Sequence, residues 1–154
     1  MIKERIRTKA KSLGFDAVGF TSAVASPKDQ EALSKFLSQG WNGEMKWMED
    51  TDGRRQNPKK TMPTAKSIIM LGMNYGPTNN PLTNLERTDC GNISVYAQTT
   101  KDYHDVVKKR LKQLGRWIVE EYSEDIKVFV DTAPIMEKPL AARSGIGWQA
   151  KHTN

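Results

Sequence analysis

Apolar residues recur at helical spacing in three segments of the chain. Residues 2–13 carry the first such stripe, and Gly14 follows it as a helix stop. Ser26 and Pro27 form a strong helix start, and Gly40 ends this second segment. The third segment, residues 102–122, is the longest, and its inward-facing residues are Val106, Val107, Leu111, Leu114, Trp117 and Ile118. The pattern therefore predicts three helices.

Short apolar runs between these helices predict strands. Residues 15–21 form one such run and residues 127–130 form another. Residues 66–75 contain four consecutive apolar residues, 68–71, which is typical of a strand covered on both faces. Residues 76–92 are rich in Pro, Asn, Thr and Gly and predict an exposed loop. The alternation predicts one domain over residues 1–154 of mixed α/β (α+β) class, a layered sheet with flanking helices.

Charge and cysteine content narrow the possible functions. The 154-residue chain has 24 Lys and Arg against 18 Asp and Glu, a net charge of +6 that fits a polyanionic partner such as RNA, or a basic surface. The lone cysteine, Cys90, excludes an internal disulfide and any four-cysteine metal or iron–sulfur site within this chain. No apolar run approaches the roughly 18 residues that span a membrane, and the N-terminus lacks a signal-peptide core. We expect a cytoplasmic protein with no membrane partner.

Asp131 is the first candidate for chemistry. It follows the apolar run 128–130, and a turn signal, Ala133 and Pro134, comes directly after it. At the end of a buried strand, its carboxylate would face a crevice. Burial would raise its pKa, so that it could hold or donate a proton near neutral pH. Alternatively, Asp131 caps the following turn through nearby backbone N–H groups.

The residues that follow could bind a ligand. Gly145 and Gly147 permit close approach of a ligand to the backbone, and Trp148 could offer a flat apolar wall to a planar one. A helix end followed by a core tryptophan explains the same residues. Lys151 and His152 could donate to polar groups of a ligand, or could be ordinary polar residues that start a strand.

Two basic features have a functional and a structural explanation. Arg54 and Arg55 could grip an anionic or amide-bearing ligand by fork-shaped hydrogen bonds, or could be solvated. Lys108, Lys112 and Arg116, spaced by four, form a stripe on the outer face of the predicted third helix. The stripe could meet phosphates, or could be an ordinary solvated face.

Several motifs together resemble a known family. They are Gly43-Glu-Met-Lys-Trp-Met48, Arg55 with Pro58, the strand Ser67–Tyr75, Tyr96-Ala97 with Asp102-Tyr-His104, and the run from Val130-Asp-Thr-Ala-Pro134 to His152. In order and spacing they resemble epoxyqueuosine reductase over nearly the whole chain.

The resemblance implies a reaction, its cofactors and site residues. Members of the family reduce the epoxide of epoxyqueuosine in the tRNA anticodon to an alkene. They use cobalamin, held by an N-terminal α/β domain, and two [4Fe–4S] clusters in a following domain. The chain resembles the cobalamin-binding domain only. The resemblance implies that Asp131 is the proton donor, and that the residues near the corrin are Arg55, Trp148, Lys151, His152 and Thr153.

The chain also departs from the family pattern. It lacks the CxxCxxCxxxCP cluster motif, so a separate iron–sulfur domain or polypeptide would have to supply electrons. Ala150 stands where glycine is usual before the Lys-His pair. Two alternatives therefore remain beside the cobalamin-binding part of a reductase: a truncated relic without catalysis, and a basic RNA-binding module.

Overall fold

A computed structural model describes residues 1–49, 52–98 and 100–150. Within these ranges the chain forms α1 (Ile2–Ser12), β1 (Ala17–Ser22), α2 (Pro27–Ser38), β2 (Ser67–Gly72), α3 (Tyr103–Tyr122) and α4 (Glu137–Arg143). Short 3₁₀ turns cover Lys46–Met48, Pro58–Lys60, Pro81–Glu86 and Val95–Gln98. The predicted mixed α/β class is confirmed. In this part of the chain, no helix combines the length and the apolar character that a membrane crossing requires.

Local sequence explains where the helices begin and end. The Ser26 side chain accepts a hydrogen bond from the Asp29 N–H at 3.3 Å, and Pro27 occupies the first helical position of α2. Asp102 caps α3 in the same way, accepting from the His104 N–H at 2.8 Å. Gly14, at φ 86°, follows α1 in the left-handed conformation that glycine adopts easily. The predicted helix boundaries hold to within about two residues.

The sheet consists of β1 and β2, which pair antiparallel from Ala17 opposite Gly72 to Ser22 opposite Ser67. The apolar run of β2 is only half-buried, so the expectation of a strand covered on both faces is wrong. The segment after α4 packs directly on β1. A Cβ at Gly19 would lie 2.4 Å from the Ser144 Oγ and 2.6 Å from its backbone oxygen. Only glycine fits at position 19 without movement of that segment.

The structure groups the residues into two compact units. The first comprises Met1–Asp16 and Met73–Val130, and therefore contains α1 and α3. Its buried apolar residues are Ile6, Ala10, Phe15, Leu114 and Ile118. An ion pair between Arg5 and Glu121, at 2.6 Å, joins the two helices, and Arg110 donates to the Gly14 carbonyl at 2.8 Å. Apolar contact and these polar links hold the first unit together.

The second unit comprises Ala17–Gly72 and the chain from Asp131 onward, with the sheet, α2 and α4. Its buried apolar residues are Ala23, Leu33 and Leu140. Arg143, at the end of α4, donates to the Ser22 and Val24 carbonyls at 3.2 and 3.0 Å and pairs with Asp29 at 3.4 Å. A guanidinium has donors enough for all three partners. Arg143 therefore fixes α4 to the end of β1 and to the first turn of α2.

The predicted strand over residues 127–130 is wrong. These residues are described, and they form no strand. Ile126 and Val128 instead contact α3, where a Cβ on Gly115 would lie 3.5 Å from each side chain. The apolar run therefore covers a helix, and its β-branched residues pack there without a partner strand.

Candidate active site

Asp131 lies on an exposed loop between α3 and α4. Its backbone is left-handed, with φ 53°, which is uncommon for any residue except glycine, although Asp tolerates it better than most. The residue is exposed, so the expectation of a carboxylate buried at a strand end is wrong. The reason is that residues 127–130 form no strand, and in the described part of the chain no sheet encloses Asp131. The carboxylate instead stands where a second molecule can reach it.

Glu137 is the site residue that the sequence analysis missed. It is the first residue of α4, is half-buried, and its Oε1 accepts a hydrogen bond from the Asp131 N–H at 3.2 Å. Burial raises the pKa of the Glu137 carboxyl, and the nearby charge of Asp131 raises this pKa further. Two acidic residues six positions apart flank Pro134, but this pattern does not predict that they meet. The structure thus brings two carboxyl groups into one site.

Arg55 is half-buried rather than fully solvated. Its guanidinium lies over the Trp47 ring, 4.9 Å from the centroid. Within the described part of the chain, its Nε is buried without a hydrogen-bond partner. Partial burial lowers the pKa of Arg55, although an arginine remains charged. The arginine is therefore held in place by stacking and keeps donor capacity.

A small cavity lies beside Arg55. Its volume of about 10 Å³ is room for one water molecule. The residues that line it are Ala25, Ser26, Asp29, Arg55, Gln56, Pro58, Met136, Leu140 and Arg143. The cavity places Arg55 against the start of α4, next to the loop that carries Asp131. It is too small for a corrin.

Trp148 is 80% exposed. The alternative of a core tryptophan is therefore wrong, and the indole presents a free flat face. Gly145, at φ 79°, allows the sharp turn that precedes it. The three other predicted ligand residues, Lys151, His152 and Thr153, lie outside the described residues.

The first unit carries a separate polar cluster at the start of α3. The Asp102 carboxylate lies 2.8 Å from the His104 Nδ1, and the Tyr103 ring stacks on the imidazole with centroids 4.0 Å apart. The backbone N–H of His104 is the main cause that lowers the pKa of Asp102. In the ranges that the structure covers, no cluster of His, Cys, Asp and Glu could hold a metal ion. The cluster is explained as a helix cap.

The basic stripe on α3 is exposed as predicted, at Lys108, Lys112 and Arg116. Beside it runs an open groove of about 400 Å³ between α3 and the segment with Ile126 and Val128. Glu120 also lines this groove. The stripe therefore offers a cationic face that runs along one side of a helix.

The chain is similar to known proteins. The family profile described as "Epoxyqueuosine reductase QueG, DUF1730" matches residues 55–132. The epoxyqueuosine reductase of Cellulophaga algicola is 39% identical over 150 residues, which cover 97% of this chain and 47% of that protein. The chain thus spans less than half the length of this relative.

Two solved structures are similar. A crystal structure of epoxyqueuosine reductase with an epoxyqueuosine-modified tRNA stem loop has a TM-score of 0.77 and 30% identity, over 97% of this chain and 40% of the other. The Bacillus subtilis epoxyqueuosine reductase, solved with an aspartate-bearing catalytic loop swung out of the active site, has a TM-score of 0.73 and 29% identity, over 97% and 39%. The profile covers half of the chain, and it includes both Arg55 and Asp131. The chain belongs to the epoxyqueuosine reductase family.

Proposed function

We propose that this chain is the cobalamin-binding part of an enzyme that reduces epoxyqueuosine in tRNA to queuosine, with Asp131 as the proton donor. One observation carries the proposal: Asp131 stands exposed on a loop, in a strained backbone conformation, beside a half-buried carboxyl. The related B. subtilis enzyme has an aspartate on a catalytic loop, which supports the same role here.

The reaction defines what Asp131 must do. Converting an epoxide to an alkene consumes two electrons and two protons and releases the oxygen as water. The departing oxygen is a poor leaving group unless a proton reaches it, and a positioned carboxylic acid is a common general acid. Asp131 would hold this proton and transfer it to the epoxide oxygen. Because the residue is exposed, a nucleoside extruded from an anticodon loop could reach it.

The residues present fit a cobalamin in two respects. The buried Arg55 Nε lacks a partner among the described residues, and the guanidinium can donate to amide oxygens such as those on a corrin rim. Trp148 offers an exposed flat face to a planar ring. Lys151, His152 and Thr153 follow in the sequence as further candidates for its polar groups. When bound, cobalamin supplies the electrons that reach the carbon of the epoxide.

The residues of this chain do not fit an iron–sulfur cluster. Such a cluster takes four cysteines in the common case, whereas the chain has only Cys90, which is exposed. The electrons would therefore come through a separate domain or polypeptide that carries the clusters.

Replacement of Asp131 by Asn tests the proposal. In the cobalamin-loaded enzyme completed with its iron–sulfur part, D131N should lower the rate of epoxide reduction by about 10²-fold or more, because the amide cannot supply the proton. Its cobalamin absorbance should match that of the wild type. Asp125→Asn, an exposed aspartate before the loop, is the matched control and should keep the wild-type rate. Undiminished turnover by D131N would remove the proton-donor assignment.

A binding role without catalysis is the second candidate. The exposed stripe of Lys108, Lys112 and Arg116 favours it, because a row of cations along a helix suits an RNA backbone. RNA binding by this stripe would not depend on a corrinoid. A relic that catalyses nothing would show the same RNA binding without a corrinoid. It would also gain no activity from any iron–sulfur partner.

A further inference from the structure

We infer that Glu137 is the positioning residue for Asp131: by accepting the Asp131 N–H, it holds residue 131 in its left-handed conformation and so fixes the direction of the carboxyl. The inference rests on the proposed role of Asp131 as proton donor. It assigns a function to a residue for which the sequence motifs alone give no reason.

The backbone conformation of Asp131 requires support. At φ 53° its Cβ crowds the backbone, and the unfolded chain has little tendency to adopt such an angle. The hydrogen bond of 3.2 Å from its N–H to the Glu137 Oε1 is one interaction that can hold this angle.

Glu137 closes the loop at both of its ends. Its side chain holds residue 131, while its own N–H donates to the Ile135 carbonyl at 3.0 Å. Between these points the Ile135 N–H donates to the Ala133 carbonyl at 2.7 Å, in the turn around Pro134. One residue therefore ties together the whole loop that carries Asp131.

The helix that carries Glu137 is held in place at both of its ends. Glu137 is half-buried at the start of α4, and Leu140, one turn later, is 3% exposed. Arg143 fixes the other end of α4 through the Ser22 and Val24 carbonyls. A carboxyl on such a helix can hold a loop residue with little movement, as a group that orients a catalytic side chain must.

The charges of the pair are consistent with this role. Burial first, and the charge of Asp131 second, raise the pKa of Glu137. The Glu137 carboxyl therefore keeps its proton to a higher pH than an isolated carboxyl on the surface would. A retained proton lessens the repulsion that would otherwise turn the Asp131 side chain away from Glu137.

The test compares Glu137→Ala, which removes the acceptor, with Glu137→Gln, which keeps an acceptor oxygen. The first readout is hydrogen exchange of the Asp131 amide in the purified chain, followed by nuclear magnetic resonance. E137A should exchange about tenfold faster at this amide, the factor expected for one lost hydrogen bond, and E137Q should stay near the wild type. Glu124→Ala, an exposed glutamate outside the loop, is the control.

The second readout is turnover by the complete enzyme. E137A should lower kcat for epoxide reduction with little change in the KM for tRNA, and E137Q should restore most of kcat. An Asp131 amide that stays protected in E137A overturns the inference. So does an E137Q variant that keeps the protected amide but is as slow as E137A. If D131N retains turnover, the proposed function itself fails, whatever the Glu137 variants do.

Discussion

At the residue scale, Asp131 and Glu137 form a hydrogen-bonded pair in which each residue departs from its ordinary state. A non-glycine residue in the left-handed region costs roughly 1–2 kcal/mol. Burial of the Glu137 carboxyl adds a second unfavourable contribution, visible as its raised pKa. Leu140 and Arg143 fix α4 through other contacts. Backbone strain of the kind seen at Asp131 clusters at functional sites.

The raised pKa of Glu137 predicts a pH-dependent effect on stability. A carboxyl whose pKa is higher in the folded than in the unfolded protein binds more protons in the folded state. The contribution of this carboxyl to the free energy of unfolding therefore becomes less favourable as the pH rises. The change runs from its pKa in the unfolded protein, about 4.3, through its higher pKa in the folded protein. Because Gln cannot ionise, E137Q should gain stability relative to the wild type as the pH rises through this window. Above the folded pKa the gain should remain constant.

Urea unfolding of both proteins at pH 4 and at pH 7 measures this effect. The midpoint of E137Q should exceed that of the wild type by more at pH 7 than at pH 4. Glu124→Gln, at an exposed position outside the loop, is the control for the loss of one carboxyl. An equal offset at both pH values would contradict the raised pKa.

The candidate site could be predicted only in part from the sequence. Asp131 and Arg55 stand in recognisable motifs, and both lie in the matched profile. The partner of Asp131 could not be predicted, because a hydrogen bond from the backbone of residue 131 to a side chain six residues later depends on the turn between them. The stacking of Arg55 on Trp47 is equally a product of folding, since no local pattern relates these residues.

The elements differ in how well the sequence predicted them. Helix α3 has a long apolar stripe and a capping aspartate, and both signals are local. The prediction of a strand over residues 127–130 is wrong, because a short apolar run does not show which element it will pack against. Ile126 and Val128 pack against Gly115 on α3, where the absence of a side chain leaves space for them. Tertiary contact, rather than β-propensity, decided the structure of this segment.

The basic face of α3 provides a prediction at the scale of an element. Residues four apart on a helix are separated by about 6 Å along its axis, so Lys112 and Arg116 can each neutralise a phosphate. The double variant K112E/R116E should therefore weaken binding of a tRNA anticodon stem loop. It should also reduce the slope of log affinity against log salt by about 2.

A matched control distinguishes the effect of this helix face on RNA binding from the effect of net charge. The double variant K28E/K35E reverses two exposed lysines on α2 and changes the net charge by the same amount. Fluorescence anisotropy with a labelled stem loop, measured over a series of salt concentrations, compares the two. If both variants weaken binding equally, the overall charge of +6 attracts the RNA, and the α3 face has no special role.

At the scale of the whole molecule, the chain matches only part of the length of its relatives. It belongs to the family, yet it spans 47% of the C. algicola enzyme and 40% of the structure with the tRNA stem loop. Its second unit exposes three tryptophans, Trp41, Trp47 and Trp148, by 61%, 60% and 80%. Large exposed aromatic groups are common where a ligand or another protein surface binds. The chain therefore offers binding surface, and under the proposed function the electrons would come from a separate domain or polypeptide.

Titration of the purified chain with cob(II)alamin, followed by electron paramagnetic resonance, tests the proposed cobalamin site most directly. We predict a saturable change in the cobalt signal at a stoichiometry of about one cobalamin per chain, since each chain offers one such set of residues. Trp148→Ala should weaken this binding, because the flat apolar face is lost, while D131N should bind as the wild type does. A cobalt signal that remains that of free cobalamin at every concentration would contradict the proposal that this chain holds the cofactor.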